Sequence, residues 1–196
     1  MHRRKTIKYS LGQLLVASLL CLGFWQFGQG AYIPAKAWVA QELMHRAWQR
    51  AEGGSRKPAP WPWADTFPVA RLSAKGGDVE LIILEGGSGR TLAFGPGHLS
   101  ISALPGQPGN SIIAGHRDTH FQFLQYMKVG EVLRVELPNG QKHIYEVTAL
   151  DVVDSRRGSL VLDTDESMLS LVTCYPFDAM QPGGPMRYVL SARLVF

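Results

Sequence analysis

The sequence predicts a mainly β fold: a closed or nearly closed barrel of about eight strands with short helices, preceded by an N-terminal transmembrane helix. Short apolar runs separated by turn residues, a content of 21 Gly and 12 Pro, and one long uncharged N-terminal segment predict this architecture. The expected organisation is a basic cytoplasmic N-terminus at 1–10, a transmembrane signal anchor at 11–32, an amphipathic helix with a Pro- and Trp-rich linker at 33–69, and the β-barrel at 70–196.

A cluster of cations precedes the apolar segment. The first eight residues carry four Lys or Arg and no acid, which leaves 16 Lys and Arg against 16 Asp and Glu, so the remainder is formally neutral and nucleic-acid binding is not expected. Leu11–Phe27 contains 17 uncharged residues, close to the ~20 that span a bilayer. Cations on one side predict a cytoplasmic N-terminus and an exported domain. The alternative is a cleaved secretory signal with an A-x-A site at Ala35–Ala37.

The remaining elements follow in chain order. IPAKAWVAQELMHRAWQRAE predicts an amphipathic helix that ends at Gly53–Gly54, and four prolines between 58 and 68 then favour extended chain. Asn139–Gly140 predicts a hairpin with a type I′ turn, and short helical pieces are expected at Phe121–Met127 and Asp165–Leu169. The strand candidates are VARLSA, DVELIILEG, RTLAFG, NSIIAG, EVLRVEL, KHIYEVTALDVV, MLSLVTC and RYVLSARLVF.

The two cysteines have different settings. Cys21 lies within the apolar segment, which leaves Cys174 as the single thiol of the exported part. An unpaired cysteine in an oxidising compartment indicates a reactive thiol, although an inert core cysteine fits this count equally well.

Three reactive side chains occur at the ends of predicted strands. His116 follows NSIIAG, Cys174 ends MLSLVTC, and Arg187 begins RYVLSARLVF. Strand ends open onto the rim of a barrel, where pockets form. A thiolate is a nucleophile, an imidazole exchanges protons near neutral pH, and a guanidinium stabilises an oxyanion. These types suit acyl transfer, but their spacing alone leaves open whether they meet.

These segments resemble the sortase family. AGHRDT, LVTCYPF and PMRYVLSARL occur in this order, with 58 residues from His116 to Cys174 and 13 from Cys174 to Arg187. The resemblance covers roughly Ala70–Phe196. FGPGHLSISALPGQPGNSIIAGHRDTHFQFL and PWPWAD resemble the subgroup of Gram-negative bacteria (class GN). The resemblance to sortases implies a sortase-like barrel on a single-pass anchor in the cytoplasmic membrane, with the catalytic domain on the periplasmic or extracellular side.

The resemblance also implies a reaction. Cys174 would attack the Thr–Gly-type bond of an LPxTG-like C-terminal sorting signal on a partner protein and form a thioacyl enzyme. His116 would protonate the leaving amine and deprotonate an incoming amine, which we expect to come from the cell envelope. Arg187 would position the signal and stabilise the oxyanion, and Thr173 would help to line the substrate groove. No cofactor and no metal are expected.

Three alternatives compete with this interpretation. The same intermediate could be captured by water, which would make the chain an exported cysteine peptidase. An L,D-transpeptidase would carry a His-Gly pair before the cysteine, where this chain has Val172-Thr173. A non-enzymatic module could bind a metal through His98, His116, His120 and Cys174. Asp118 either orients His116 or is a solvent-facing turn residue, and His120 either supports the site or lies at the surface.

Overall fold

The computed structural model describes residues 11–158, 160–179, 181 and 183–195, so the basic segment predicted at 1–10 lies outside the described residues. Helix α1 spans Leu11–Glu52 and contains Pro34, so the two helical segments expected from the sequence form one continuous element. The chain divides into two compact units after Ala40. The part Leu11–Gly28 is long and apolar enough to cross a membrane, a criterion that an N-terminal signal sequence also meets.

Eight strands form a closed barrel, which confirms the predicted fold class. Around the barrel the strands follow the order β1-β2-β3-β4-β7-β8-β6-β5, and β5 pairs with β1 to close it. The strands are β1 Pro68–Ala74, β2 Val79–Glu85, β3 Gly97–His98, β4 Gly109–Ala114, β5 Val132–Glu136, β6 Lys142–Asp154, β7 Ser167–Cys174 and β8 Met186–Leu194. Most neighbours are antiparallel, but β4 runs parallel to β7 and β2 runs parallel to β3.

Two sequence predictions of local structure were wrong. RTLAFG is not a strand: Gly89–Leu92 forms the short helix α2, because the Ser88 side chain caps it by accepting a hydrogen bond from the Thr91 N–H. Asp165–Leu169 is not helical, since Ser167–Leu169 begins strand β7 and pairs with β4. The remaining helical pieces are 3-10 turns at Lys75–Gly77 and Gln122–Tyr126, and the second confirms the helix expected within Phe121–Met127.

The β5–β6 hairpin is confirmed, but its turn is not the predicted type I′. Gly140 has φ 83°, whereas Asn139 does not adopt a positive φ. The Gly140 N–H donates to the Leu137 carbonyl, and the Leu137 N–H donates to the Gln141 carbonyl. This is the longer loop in which a β-turn is followed by a left-handed glycine. Pro138 favours it because proline presets the φ of the first central turn position.

The barrel interior forms the core, and one helical face covers a neighbouring patch. Fully buried side chains from most of the strands fill the interior, among them Leu72, Ile83, Ile113, Leu133, Tyr145, Leu171 and Leu190. A second cluster joins Met44 and Trp48 of α1 to Ile82 and Leu84 of β2. The C-terminal part of α1 therefore packs on the outside of the barrel, next to β2.

Candidate functional site

The register of three adjacent strands brings the predicted residues to one end of the barrel. Parallel β4 and β7 pair Ala114 with Val172, and His116 and Cys174 each follow two residues later. Antiparallel β7 and β8 place Cys174 directly opposite Arg187. Because paired strands lie about 4.8 Å apart, Cys174 and Arg187 are neighbours, and His116 follows the end of the strand next to β7 by two residues.

Strand alternation also places these positions on one face. Side chains two residues apart along a strand point to the same side. Ile112 of β4, Val172 of β7 and Val189 of β8 line one groove on the outer face of the barrel. Cys174 follows Val172 by two residues and Arg187 precedes Val189 by two, so both belong to the face that carries this groove.

The groove has a volume of about 400 Å³, and of the three predicted residues Arg187 is part of its lining. Its lining is mostly apolar, with Arg187 as its one charged member among the described residues: Leu99, Ile101, Ile112, Val153, Ser155, Gly158, Leu160, Leu162, Val172, Arg187 and Val189. A concave apolar surface with one fixed cation suits an extended peptide that has small apolar side chains and a reactive carbonyl near the cation.

Two hydrogen bonds fix the end of β4 to β7. The Gly115 N–H donates to the Val172 carbonyl at 3.0 Å, and the Thr173 hydroxyl donates to the Gly115 carbonyl at 2.7 Å. Thr173 is 2% exposed and faces away from the groove, so this bond is the contact that the structure gives it. Its predicted part in lining the substrate groove stays a prediction. Both bonds hold the backbone immediately before His116 against the backbone immediately before Cys174.

Gly115 is required by a close approach rather than by its φ. A Cβ at this position would lie 2.8 Å from the Phe121 ring. The ring is fully buried, and the Phe121 N–H donates to the His116 carbonyl at 3.0 Å. The turn after His116 therefore closes over an aromatic side chain that a larger residue would displace.

The three predicted side chains differ in exposure. His116 is exposed, whereas Cys174 is a free, half-buried thiol, and Cys21 is also free. The Arg187 guanidinium donates to the carbonyls of Gly184 at 2.7 Å and Met186 at 2.8 Å. An exposed imidazole can exchange protons with solvent or substrate, and the Cys174 thiol is free and only half-buried, so both are available for chemistry.

Sequence reasoning missed Arg117, which is 7% exposed. Its guanidinium holds the Asp118 carboxylate in a two-bond pair, from Nε at 2.6 Å and from a terminal nitrogen at 3.0 Å. It also donates to the carbonyls of Pro176 and Ala179, in the loop after Cys174. The arginine of the GHR element was visible in the sequence, but the loop that buries it lies 59 residues away in the chain.

Asp118 and His120 both respond to the charge of His116. The hydrogen bond from Arg117 lowers the pKa of Asp118, and the charges of Arg117 and His116 lower it further. Burial lowers the pKa of His120, and the charge of His116 adds to that effect. The Asp118 carboxylate is therefore the hydrogen-bond and charge partner of Arg117, whereas His120 lies half-buried near His116.

His98 is engaged elsewhere. It is 2% exposed on β3, and its Nε2 lies 2.9 Å from the Ala103 carbonyl oxygen. A carbonyl can only accept, so this nitrogen carries a proton, while Nδ1 lies 3.3 Å from a Glu85 carboxylate oxygen. Within the described ranges, no group of three or more His, Cys, Asp or Glu side chains is placed to hold a metal ion. The four residues of the metal-site alternative are thus not brought together.

Aromatic rings surround the chain just after Cys174. Tyr175 and Tyr188 stack with ring centres 6.4 Å apart, and Phe177 meets Tyr188 edge-on at 5.1 Å. Phe177 and Tyr188 also pack against the barrel core. These rings cover the end of the barrel beneath the rim residues, which gives the Cys174 strand end a rigid apolar support.

Comparison with known proteins places the chain among sortases. A model of the sortase domain matches residues 72–195. The chain is 34% identical over 148 residues to "Sortase D" of Bacillus subtilis (strain 168), covering 75% of this chain and 71% of that protein. Sortase C-1 from Actinomyces oris has a similar structure, with a TM-score of 0.58 and 28% identity, covering 78% of this chain and 98% of its own. A Clostridium perfringens Sortase D5 transpeptidase shares the fold at a TM-score of 0.60 and 22% identity, covering 78% of this chain and 89% of its own.

Proposed function

The chain belongs to the sortase family, and we propose that it is a membrane-anchored cysteine transpeptidase that transfers a protein with a C-terminal sorting signal to an amine. The observation that carries the proposal is the register of β4, β7 and β8, with Cys174 opposite Arg187 and level with His116. This register supports a site in which Cys174 is the nucleophile, His116 the proton carrier and Arg187, which lines the apolar groove, the oxyanion donor.

Acylation uses all three residues. His116 takes the thiol proton of Cys174 as the sulfur attacks the carbonyl carbon of a Thr–Gly-type peptide bond, and the carbonyl oxygen becomes an oxyanion that Arg187 stabilises with N–H donors. The tetrahedral intermediate collapses as the C–N bond breaks, and His116 gives its proton to the departing amine. The products are a thioester on Cys174 and the released C-terminal segment of the signal.

Transfer reverses these roles. An incoming amine attacks the thioester carbon while His116 takes its proton, and the C–S bond breaks to release Cys174 and a new amide. His116 is exposed, so an amine can reach the thioester from solvent. The same exposure admits water, and water in place of the amine would give the peptidase alternative.

The groove supports an LPxTG-like signal as the substrate class. Its apolar wall, built from side chains such as Leu99, Ile101 and Val172, suits apolar residues upstream of the cleaved bond. Arg187 lines the groove and lies opposite Cys174 in the β7–β8 register, so a peptide bond held beside Arg187 would be close to Cys174. We expect the partner protein to present this signal as an extended segment, with the amine supplied by the cell envelope.

The N-terminal part of α1 supports placement in the cytoplasmic membrane. Its segment Leu11–Gly28 has the length and composition of a membrane span, and the preceding cations favour a cytoplasmic N-terminus. The catalytic unit would then face the periplasm or the extracellular side. The segments at 94–124 and 60–65 support assignment to the subgroup of Gram-negative bacteria (class GN).

A peptide assay on the full chain in detergent tests the proposal. The probes are a library of Leu-Pro-X-Thr-Gly peptides, with triglycine or hydroxylamine as the amine, and mass spectrometry follows both the acyl group on Cys174 and the released products. We expect amide or hydroxamate products in the wild type and none in Cys174→Ala. His116→Ala and Arg187→Ala should each lower turnover by orders of magnitude, as for residues that act as a unit.

The same assay decides between transfer and hydrolysis. A transpeptidase gives products whose yield rises with amine concentration, whereas a peptidase gives only the free acid at every amine concentration. If the wild type and Cys174→Ala both leave every peptide uncleaved and Cys174 carries no acyl group, the proposed function is wrong for this substrate class.

A further inference from the structure

Arg117 is a buried cation at the rim of the barrel, and the reaction described above does not use it. It follows His116 directly and is 7% exposed, whereas its neighbours His116 and Asp118 are both exposed. A buried arginine has to satisfy its donors within the protein, because an unpaired buried charge is strongly destabilising. The acceptors of the Arg117 N–H groups therefore indicate the role of this residue.

Its donors reach two loops. Nε and one terminal nitrogen bind the two Asp118 carboxylate oxygens in the His116 loop. The terminal nitrogens also donate to the Pro176 carbonyl at 2.5 Å and to the Ala179 carbonyl at 2.9 Å. One guanidinium thus joins the loop that follows His116 to the loop that follows Cys174.

Among the described residues, the backbone of the loop after Cys174 has few other hydrogen bonds near its start, although the Tyr175 and Phe177 rings pack against Tyr188. The Tyr175 N–H donates to the Met186 carbonyl at 3.1 Å, and the chain then leaves the sheet. Within Pro176–Ala179, the Ala179 N–H donates to the Pro176 carbonyl at a long 3.4 Å. The bonds from Arg117 are shorter and charge-assisted, so they are the stronger hold on this segment.

The positive charge of Arg117 also acts on the site. The hydrogen bond with Asp118 raises the pKa of Arg117, burial opposes this rise, and the negative charges of Asp118, Cys174 and Asp178 add to it. Because Arg117 also donates to the Pro176 carbonyl, two residues after Cys174, its guanidinium lies beside the start of the loop that follows Cys174.

We propose that Arg117 is a positioning residue that fixes the Cys174 strand end to the His116 loop through the carbonyls of Pro176 and Ala179. It acts through the residues on either side and does not contact the substrate carbonyl. This role rests on the proposed function for its catalytic consequence, although the link between the two loops exists independently of any reaction.

The arrangement requires an arginine. Its planar fork can bind a carboxylate through two parallel bonds while the remaining donors point at two carbonyls. A lysine ammonium carries the same charge but offers one donor centre, which cannot reach the carboxylate and both carbonyls in this geometry. Arg117→Lys therefore keeps the positive charge but loses the planar guanidinium with its several donors. Arg117→Met loses both.

Hydrogen exchange on the full chain in detergent tests the link between the loops. Losing one or two charge-assisted bonds should speed exchange of the Phe177–Ala179 amides by roughly tenfold in Arg117→Lys and in Arg117→Met. Asp118→Asn leaves both carbonyl bonds in place and should speed exchange by only about twofold to threefold. The matched control is Arg90→Met, an exposed arginine paired with Asp65, which should leave exchange in this loop unchanged. Wild-type exchange in both Arg117 variants would overturn the proposal.

Alkylation of Cys174 measures the charge separately. A nearby cation favours anionic iodoacetate over neutral iodoacetamide, so the ratio of their rates reports the local potential. The ratio should stay near the wild-type value in Arg117→Lys and fall by roughly threefold in Arg117→Met. An altered fold would change both reagent rates together and leave the ratio unaffected. A wild-type ratio in Arg117→Met would show that the charge of Arg117 does not act on Cys174.

The catalytic consequence is measured as the acylation rate with the peptide library. We expect Arg117→Lys to lower the rate constant of acylation by about tenfold or more while KM changes less than about threefold, because positioning affects the transition state more than peptide binding. Wild-type acylation together with fast loop exchange would overturn the catalytic part. If the wild type itself forms no acyl enzyme, the transpeptidase proposal fails, whereas exchange still decides whether Arg117 joins the loops.

Discussion

At the scale of single residues, the Thr173 hydroxyl holds two strand ends together. It is buried and donates to the Gly115 carbonyl at 2.7 Å, one residue before His116. Thr173→Val keeps the shape but leaves that carbonyl without this donor, which should lower the free energy of unfolding by roughly 1–2 kcal/mol. Urea denaturation measures the change. Thr173→Ser retains the hydroxyl and should recover most of the loss, so equal stability of the Val and Ser variants would contradict this role.

His120 gives a second prediction at this scale. Burial lowers its pKa below 6.5, and the charge of His116 lowers it further. A base with a depressed folded-state pKa binds fewer protons in the folded than in the unfolded state, so its contribution to stability falls as the pH drops through 6.5. In His116→Gln the pKa of His120 should rise but remain below 6.5, because burial persists. NMR titration of the imidazole signals measures it, and an unchanged pKa would contradict an interaction between the two rings.

The site shows which residues sequence can and cannot predict. Cys174, His116 and Arg187 carry unusual chemistry for strand ends, so pattern and family resemblance both indicate them, and their catalytic roles stay predictions. Arg117 is also part of the GHR element that the sequence shows. Its importance, however, depends on hydrogen bonds to carbonyls 59 and 62 residues away in the chain. A role that consists of contacts with a remote backbone leaves no local signal.

At the scale of elements, Arg71 of β1 joins several parts of the catalytic unit. Its guanidinium binds Glu136 of β5 at 2.6 Å, lies 3.8 Å from Glu52 at the end of α1 and 3.7 Å from Glu80 of β2, and covers the Trp48 ring at 5.3 Å. Its Nε and one terminal nitrogen both donate to the same Glu136 carboxylate oxygen, and these two hydrogen bonds are partly buried. This network fastens the end of α1 to the outside of the barrel.

Removing Arg71 should therefore change both stability and its pH dependence. Arg71→Met should lower the free energy of unfolding by roughly 1–2 kcal/mol at pH 7, a value reduced for partial solvent screening. The hydrogen bond from Arg71 lowers the pKa of Glu136. A depressed carboxylate pKa stabilises the fold above the unfolded-state value near 4.5, and this contribution disappears as the pH falls below it. The difference between variant and wild type should thus shrink at pH 3.

The matched control for Arg71 is Arg134→Met. Arg134 lies on β5, two register positions from the Arg71–Glu136 pair, and is exposed. Its loss should alter stability by less than about 0.5 kcal/mol, as for an ordinary surface change. Urea denaturation of both variants at pH 7 and pH 3 provides the comparison. A loss in Arg71→Met that is identical at the two pH values would contradict the role of its pair with Glu136.

The elements themselves were mostly predictable. Alternating β-branched runs identified every strand but β3. The errors in the predicted local structure have local causes. The segment RTLAF is too short for its hydrophobic periodicity to distinguish a helix from a strand. The Ser88 cap stabilises the helix there. Pro138 preceded the Asn139–Gly140 pair and changed the turn type without changing the hairpin. Strand order could not be predicted, because the parallel pairing of β4 with β7 depends on long-range packing.

At the scale of the whole molecule, α1 leads from the apolar segment Leu11–Gly28 to the catalytic unit that begins at Gln41. Side chains such as Leu15, Leu19 and Phe24 are exposed on that segment. Water-exposed leucines and phenylalanines in such number are unfavourable, whereas a hydrocarbon core about 30 Å thick would cover them. These exposed side chains support the proposed membrane anchor, which a test of the chain in cell envelopes can separate from a cleaved signal sequence.

Intact mass and extraction of the protein from cell envelopes decide whether that anchor is retained. An uncleaved anchor predicts a chain that contains residues 11–32 and stays in the membrane pellet after alkaline carbonate washing, since a spanning helix is not removed by breaking electrostatic contacts. Cleavage at Ala35–Ala37 would instead give a shorter chain in the soluble fraction. Leu15→Arg combined with Leu19→Arg should place two charges in the span, at about 2.5–3.5 kcal/mol each, and release the chain from the pellet. The matched control, Leu104→Arg at an exposed position of the catalytic unit, should remain membrane-bound. A soluble wild type that lacks residues 11–32 would contradict the anchor and leave the chemistry at Cys174 untouched.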